Sequence, residues 1–166
     1  MKNWIPLSDV EYDLVWRKVQ KELKFRPDVS SFPAFKIGRP SITYDISNVF
    51  SADDTNLLED LEGIIGHALK EIISNEEYML ALDWQHECFW FNPHLPAVKM
   101  LSEWKVPIIP DGDYYFFIQK DFEWGILGHP WEQSMTIFGE ELIRIMSKKK
   151  PTVFNRVIRG NWASRS

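Results

Sequence analysis

Several segments with the character of β-strands follow one another in the second half of the chain, with no helical pattern between them. They cover Tyr78 to Phe91, Trp104 to Ile109, Tyr114 to Gln119 and Ser134 to Phe138. A parallel pair of strands needs a long crossover, usually a helix, whereas antiparallel strands can be joined by short connections. The succession therefore predicts an antiparallel sheet.

Helical patterns flank these strands. Ser8 and Glu11 form a capping box, and apolar residues then recur at helical spacing, which predicts a helix over 8–23. A second helix is expected from Asp53-Asp54-Thr55 to about Ser74, and a last one from Gly139. Together the elements predict an α+β domain, an antiparallel sheet with helices packed on it. We expect residues 1–166 to form this single domain, with about the last 10 residues frayed.

Cysteine content and hydropathy restrict the compartment. Cys88 is the one cysteine, so no intramolecular disulfide can form. No secretory signal opens the chain, and no apolar run reaches the length of a membrane span. These features predict a cytoplasmic protein with a reduced thiol and no membrane association.

Charge is distributed unevenly along the chain. The net charge of −5 divides into +7 over residues 142–166 and −12 over residues 1–141. The acidic charge of residues 1–141 argues against a nucleic-acid partner, because a phosphate backbone is bound by basic surfaces. The charge favours a basic partner instead.

A turn is expected at Pro110-Asp111-Gly112-Asp113, between two of the predicted strands. Proline presets φ and glycine accepts a positive φ, so a tight hairpin accounts for the first three residues. Replacement of Gly112 by valine is then expected to destabilise the fold. The alternative is that Asp111 and Asp113 bind a cation or act as an acid/base pair.

A second segment rich in polar and aromatic side chains runs from Gly125 to Gln133. Its glycines and proline predict a loop with a defined backbone conformation. It presents His129, Trp131 and Glu132 close together. Three interpretations remain open: a catalytic His129–Glu132 dyad, a rigid connection with Trp131 in the core, or an exposed surface for a partner. A partly buried indole is expected, whereas loss of the His129 side chain is expected to leave the fold intact.

Metal and cofactor motifs are weak in this sequence. His86 and Cys88 would share one face of a continuous strand. Zinc sites need three or four ligands, and the chain has neither Cys-x-x-Cys nor His-Glu-x-x-His. No phosphate-binding glycine loop is present either. The sequence therefore predicts no metal and no cofactor.

Three motifs resemble a family of uncharacterised bacterial proteins, a domain of unknown function of about this length. They are Asp83-Trp84-Gln85-His86, Pro110-Asp111-Gly112-Asp113-Tyr114-Tyr115, and Gly128-His129-Pro130-Trp131-Glu132-Gln133 with Phe138-Gly139-Glu140. The resemblance covers mostly residues 78–146 and implies no assigned activity. Small acidic bacterial domains of this type also resemble immunity proteins in character.

These observations favour a non-catalytic binding protein with an immunity or regulatory role. Its acidic surface would bind another protein, such as a basic toxin or nuclease. The expected binding residues are Asp111, Asp113, His129, Trp131 and Glu132. The alternative is a hydrolase or metal-dependent enzyme that uses the four titratable members of this set. An enzyme would require Asp111, Asp113, His129 and Glu132 to meet in one concave pocket.

Overall fold

One antiparallel sheet organises the computed structural model, which describes residues 2–51, 55–95 and 104–161. Within those ranges the sheet has eight strands, in the spatial order β1-β4-β3-β5-β6-β7-β2-β8. The strands are β1 Trp4–Pro6, β2 Ser41–Asp45, β3 Met79–Asp83, β4 Phe89–Phe91, β5 Tyr115–Ile118, β6 Gly125–His129, β7 Ser134–Phe138 and β8 Val157–Asn161. The predicted α+β class and antiparallel sheet are confirmed.

Helices cover both faces of this sheet. They are α1 Asp9–Leu23, α2 Ser47–Ser51, α3 Asn56–Ile72 and α4 Glu140–Lys148. The capping box at the start of α1 is present, because the Ser8 hydroxyl accepts the Glu11 N–H and the Glu11 carboxylate accepts the Ser8 N–H. The predicted helix start at Asp53-Asp54 lies outside the described residues. Gly139 precedes α4 with a φ of 95°.

Alternation along the central strands fills two separate cores. On one face, Leu80, Phe116 and Leu127 pack with the α1 residues Val19 and Leu23. On the other face, side chains of the same strands pack against α3 and α4; examples are Ala81, Phe117, Ile126, Leu61, Ile65 and Leu142. Because both faces are covered, the central strands are apolar on both sides and lack the apolar–polar alternation of a half-exposed sheet.

Two of the predicted strands differ from the structure. Tyr78 to Phe91 forms two strands, β3 and β4, with a turn between them, so His86 and Cys88 do not share a strand face. Trp104 to Ile109 is not a strand, although Val106, Ile108 and Ile109 are buried. These apolar side chains reflect burial in the α3-side core, and periodicity alone does not separate a buried coil from a buried strand.

The prediction of a hairpin turn at Gly112 is therefore wrong. Pro110 to Asp113 leads from irregular chain into β5, and the Asp111 N–H donates to the carbonyl of Ile109 at 2.8 Å. Gly112 does not have a positive φ, and a Cβ added there would meet nothing within 4 Å. The destabilisation expected for a side chain at Gly112 has no structural basis.

Gly125 to His129 is also different from the prediction, since it is the central strand β6 rather than part of a loop. The irregular connection is confined to the residues between His129 and Ser134. At the far side of the sheet, residues with no clear sequence pattern form the edge strand β8, which pairs with β2.

Candidate functional site

The two segments that the sequence singled out, around Asp111 and around Trp131, lie at the same end of the sheet. The pairing register aligns Asp83 with Tyr115, and Tyr115 with Gly128. One residue further out, the rings of Tyr114 and His129 are 4.8 Å apart. The segments 110–113 and 130–133 therefore leave the sheet side by side. We call this region, defined by Asp83, His86, Asp111, Asp113 and Trp131, the strand-end surface.

His129 holds the turn between β6 and β7. Its Nδ1 accepts the backbone N–H groups of Trp131, at 3.2 Å, and Glu132, at 3.1 Å. Since Nδ1 accepts, the proton of the neutral ring is on Nε2, which has no hydrogen-bond partner among the described residues. The ring packs against three aromatic side chains, those of Phe32, Phe35 and Tyr114.

His129 is 1% exposed, which is incompatible with the exposed binding role expected from the sequence. Burial lowers the pKa of the imidazole from its ordinary value of 6.5 to about 4. The ring is consequently neutral at physiological pH and shielded from solvent. The buried ring of His129 stabilises the turn through hydrogen bonds to its backbone and is not accessible to a partner.

Glu132 stabilises the same turn through its side chain. Arg159 on β8 donates two hydrogen bonds to its carboxylate, at 2.9 and 2.5 Å, and the Ser134 hydroxyl donates another at 2.6 Å. Burial raises the pKa of the Glu132 carboxyl, but these hydrogen bonds and the charge of Arg159 outweigh burial and hold it below its ordinary value. Glu132 is an ion-pair residue that connects the turn to the edge strand.

Removal of Arg159 should therefore cost more than neutralisation of Glu132. Arg159→Met leaves a carboxylate whose side chain is 9% exposed without its cation. Because Arg159 itself is 34% exposed and solvent weakens the pair, we expect a loss of about 1–3 kcal/mol in the free energy of unfolding. Urea denaturation at pH 7, above the ordinary pKa of 4.5, measures the full effect.

The double variant Glu132→Gln/Arg159→Met supplies the control. It contains no unpaired carboxylate, so it should be more stable than Arg159→Met alone. Additive losses from the two substitutions would show that the ion pair does not couple these residues.

Trp131 differs from its neighbours because it is 53% exposed. The residue is therefore partly buried, as expected, although about half of its surface faces solvent. Its backbone N–H is bound to His129, and the next residue is fixed by Arg159 and Ser134. The turn is thus a rigid support that holds a large aromatic side chain in water.

Asp113 and Asp111 have different surroundings from the His129 turn. Asp113 Oδ1 accepts the Tyr114 N–H at 2.8 Å, and Asp113 Oδ2 lies 3.2 Å from Nδ1 of His86. Asp111 is exposed. Burial raises the pKa of Glu62 on α3, and the charge of Asp111 adds to that increase. The two aspartates contribute negative charge to the strand-end surface.

The four titratable residues of the enzyme alternative are engaged separately. The Nδ1 of His129 receives backbone N–H groups, so the carboxylate of Glu132 does not orient it as a dyad would require. Glu132 pairs with Arg159, and Asp113 lies against His86. The side chains of His129 and Glu132 thus stabilise one turn through different partners, whereas that of Asp113 contacts His86.

A cluster that the sequence did not single out consists of Asp83, His86 and Asp113. Nδ1 of His86 lies 2.9 Å from Oδ1 of Asp83 and 3.2 Å from Oδ2 of Asp113. Among the described residues, this trio has the donor types and spacing that can hold a metal ion. The sequence placed His86 beside Cys88, whereas strand pairing places it beside Asp113.

Cys88 does not have the character of a nucleophile. It is a free cysteine that is 1% exposed. Burial, the largest cause, raises the pKa of its thiol to about 11, so the thiolate is scarce at neutral pH.

Comparisons with known proteins find relatives without an established activity. Residues 6–143 match a family model described as "Protein of unknown function (DUF2716)". The chain is also 38% identical over 160 residues to "Uncharacterized protein YxiI" of Bacillus subtilis (strain 168), which covers 93% of this chain and 98% of that protein. No solved structure matches the chain. None of the described helices has both the length and the apolar character needed to cross a membrane.

Proposed function

We propose that this chain, which belongs to the DUF2716 family, is a non-catalytic binding protein whose strand-end surface takes up a basic protein. An immunity or regulatory role, in which the chain occupies and blocks a basic toxin or nuclease, is the form of this function that fits its chemistry best. The observation that carries the proposal is the exposure of Trp131 on a turn fixed by buried polar groups.

An exposed aromatic side chain on a fixed backbone is the kind of residue that dominates binding energy. Tryptophan is enriched among the few interface residues that contribute most to affinity. A side chain on a fixed backbone loses less conformational entropy when it binds. His129 and the Glu132–Arg159 pair fix the backbone on either side of Trp131, and this support is consistent with an anchor for a partner.

Negative charge at the same end of the sheet as Trp131 indicates the character of the partner. Asp111 and Glu87 are exposed at this end of the sheet, and Asp83 and Asp113 are half-buried there. Residues 1–141 have a net charge of −12. Complementary charge speeds association and disfavours partners of the same sign, so a basic protein surface is the expected ligand.

The test compares Trp131→Ala with Leu14→Ala. Leu14 is 57% exposed on α1, so its truncation removes a similarly exposed apolar side chain away from the strand-end surface. Tagged protein captures partners from a lysate of the organism that encodes the chain, and mass spectrometry identifies them. A captured protein is then purified and titrated calorimetrically against the wild type and both variants.

We expect a basic partner whose affinity falls at least about thirtyfold with Trp131→Ala and is unchanged with Leu14→Ala. Neither variant should change the denaturation midpoint by much, because both side chains are exposed. Binding should weaken as salt increases. If the partner is an enzyme, equimolar chain should suppress its activity. Equal affinity for the wild type and Trp131→Ala would overturn the proposal.

A further inference from the structure

We propose that Asp83, His86 and Asp113 form a binding site for a divalent transition-metal ion, with zinc as the best fit. This inference does not rest on the proposed binding function, because it concerns the purified chain without a partner. It departs from the sequence-based expectation of no metal, which considered His86 with its neighbours in sequence and Asp113 with Asp111.

The ligand atoms of Asp83, His86 and Asp113 are about as far apart as the donor atoms around one zinc ion. Zinc binds histidine nitrogen and carboxylate oxygen at about 2.0–2.2 Å, which places neighbouring donors of a tetrahedral site about 3.4 Å apart. Nδ1 of His86 lies 2.9 Å from Oδ1 of Asp83 and 3.2 Å from Oδ2 of Asp113. All the ligand atoms lie within 4.8 Å of one another. The two nitrogen–oxygen distances therefore differ from that tetrahedral spacing by only a few tenths of an ångström.

Backbone structure brings the three residues together. Asp83 ends β3 opposite Tyr115, and Asp113 lies two residues before Tyr115 on the neighbouring segment. The His86 N–H donates to the carbonyl of Asp83 at 3.0 Å and closes a four-residue turn. The third residue, Gln85, has a φ of 67°, the sign that a type II turn requires. The turn folds the imidazole back over the end of β3.

The exposure and orientation of the three side chains are also suitable for binding a metal ion. The side chains of Asp83 and Asp113 are 20% and 16% exposed, so the two carboxylates are partly shielded, whereas that of His86 is 63% exposed. The open side leaves room for water or another ligand in a fourth position. The Tyr114 N–H holds Oδ1 of Asp113 at 2.8 Å, which orients that carboxylate while Oδ2 faces the imidazole.

The donor set discriminates between classes of cation. Calcium and magnesium prefer oxygen ligands throughout, whereas an imidazole nitrogen with two carboxylates suits zinc and neighbouring first-row metals. A zinc ion bound by the three side chains would also balance the negative charge of the two carboxylates.

Isothermal titration of zinc chloride into the tag-free, chelator-treated chain tests the site, followed by nitrogen NMR of the histidine rings. We expect one zinc per chain and a shift of the His86 Nδ1 resonance on binding. His86→Gln and Asp113→Asn should each weaken zinc binding at least about tenfold to a hundredfold, because even the partners of metal ligands have effects of that size.

The matched control is His67→Gln, which removes an exposed imidazole on α3 and should leave zinc binding unchanged. Asp83→Asn provides a third, independent ligand variant, and circular dichroism checks that each variant is folded. No zinc binding by the wild type would overturn the proposal, and so would equal affinity in the His86→Gln variant.

Discussion

Replacement of Gly139 by alanine should reduce the free energy of unfolding by about 3–5 kcal/mol, because it adds backbone strain to a steric clash. Gly139 has a φ of 95°, which residues with a Cβ rarely adopt. A Cβ there would lie 2.6 Å from Cβ of Trp124, and its nearest neighbour would be the carbonyl oxygen of Glu123. The backbone cannot easily move away, because the Gly139 N–H donates to Pro40 at 2.9 Å and its carbonyl accepts the Ile143 N–H.

Gly112→Ala is the matched control for this measurement. A Cβ at Gly112 meets nothing within 4 Å, and its φ lies outside the left-handed region. Chemical denaturation of both variants should show a large shift of the midpoint for Gly139→Ala and almost none for Gly112→Ala. Equal midpoints for the two variants would contradict the positive φ of Gly139 and its close approach to Trp124.

Stability should increase with pH between about 4 and 6.5 because of His129. Its pKa is about 4 in the folded protein, against an ordinary value of 6.5, so the unfolded chain binds more protons in this window. Each pH unit inside the window changes the free energy of unfolding by roughly 1.4 kcal/mol, which amounts to about 3 kcal/mol across it. The contribution is fully present above pH 6.5 and is lost as the pH falls towards 4.

His129→Asn separates this effect from other titrations. The Asn side-chain oxygen is an acceptor that can receive the N–H groups of the turn, but it does not titrate. We expect the variant to be less stable at pH 7, since it loses the packing against Phe32, Phe35 and Tyr114. Between pH 4 and 6.5 its stability should depend less on pH. An unchanged slope would assign the pH dependence to other groups.

Local signals in the sequence predicted several elements correctly. The capping box at Ser8 marks the start of α1, and Gly139 with two following acids marks the start of α4. Ser134 to Phe138 is β7, as predicted. In each case the information lies within a few neighbouring residues, so no knowledge of distant contacts is needed.

Elements that depend on distant contacts were missed. Gly125 and Gly128 suggested a loop, yet both lie in β6, where a Cβ would come within 2.6 Å of the Phe138 ring and 2.9 Å of Pro110. These glycines permit close approach of neighbouring groups in a central strand. Conversely, the apolar residues of 104–109 indicated burial, and burial alone does not specify a strand.

At the candidate site, too, local features were predicted from the sequence and long-range contacts were not. Asp111, Asp113, His129, Trp131 and Glu132 were all singled out from the sequence, and their side-by-side segments lie at one end of the sheet. What each side chain does was not predictable, because Arg159 and His86 meet them only through strand pairing and a turn. The sequence left the exposure of Trp131 open, because it offered both a core position and an exposed surface for a partner.

The ion pair between Glu132 and Arg159 determines when the turn that carries Trp131 becomes stabilised during synthesis. Trp131 and its turn leave the ribosome before β8, which carries Arg159. A nascent chain that ends at α4 contains Trp131 and His129 but lacks Arg159, the cation that pairs with Glu132. The turn that carries Trp131 therefore gains its full set of supporting contacts only when β8 docks on β2.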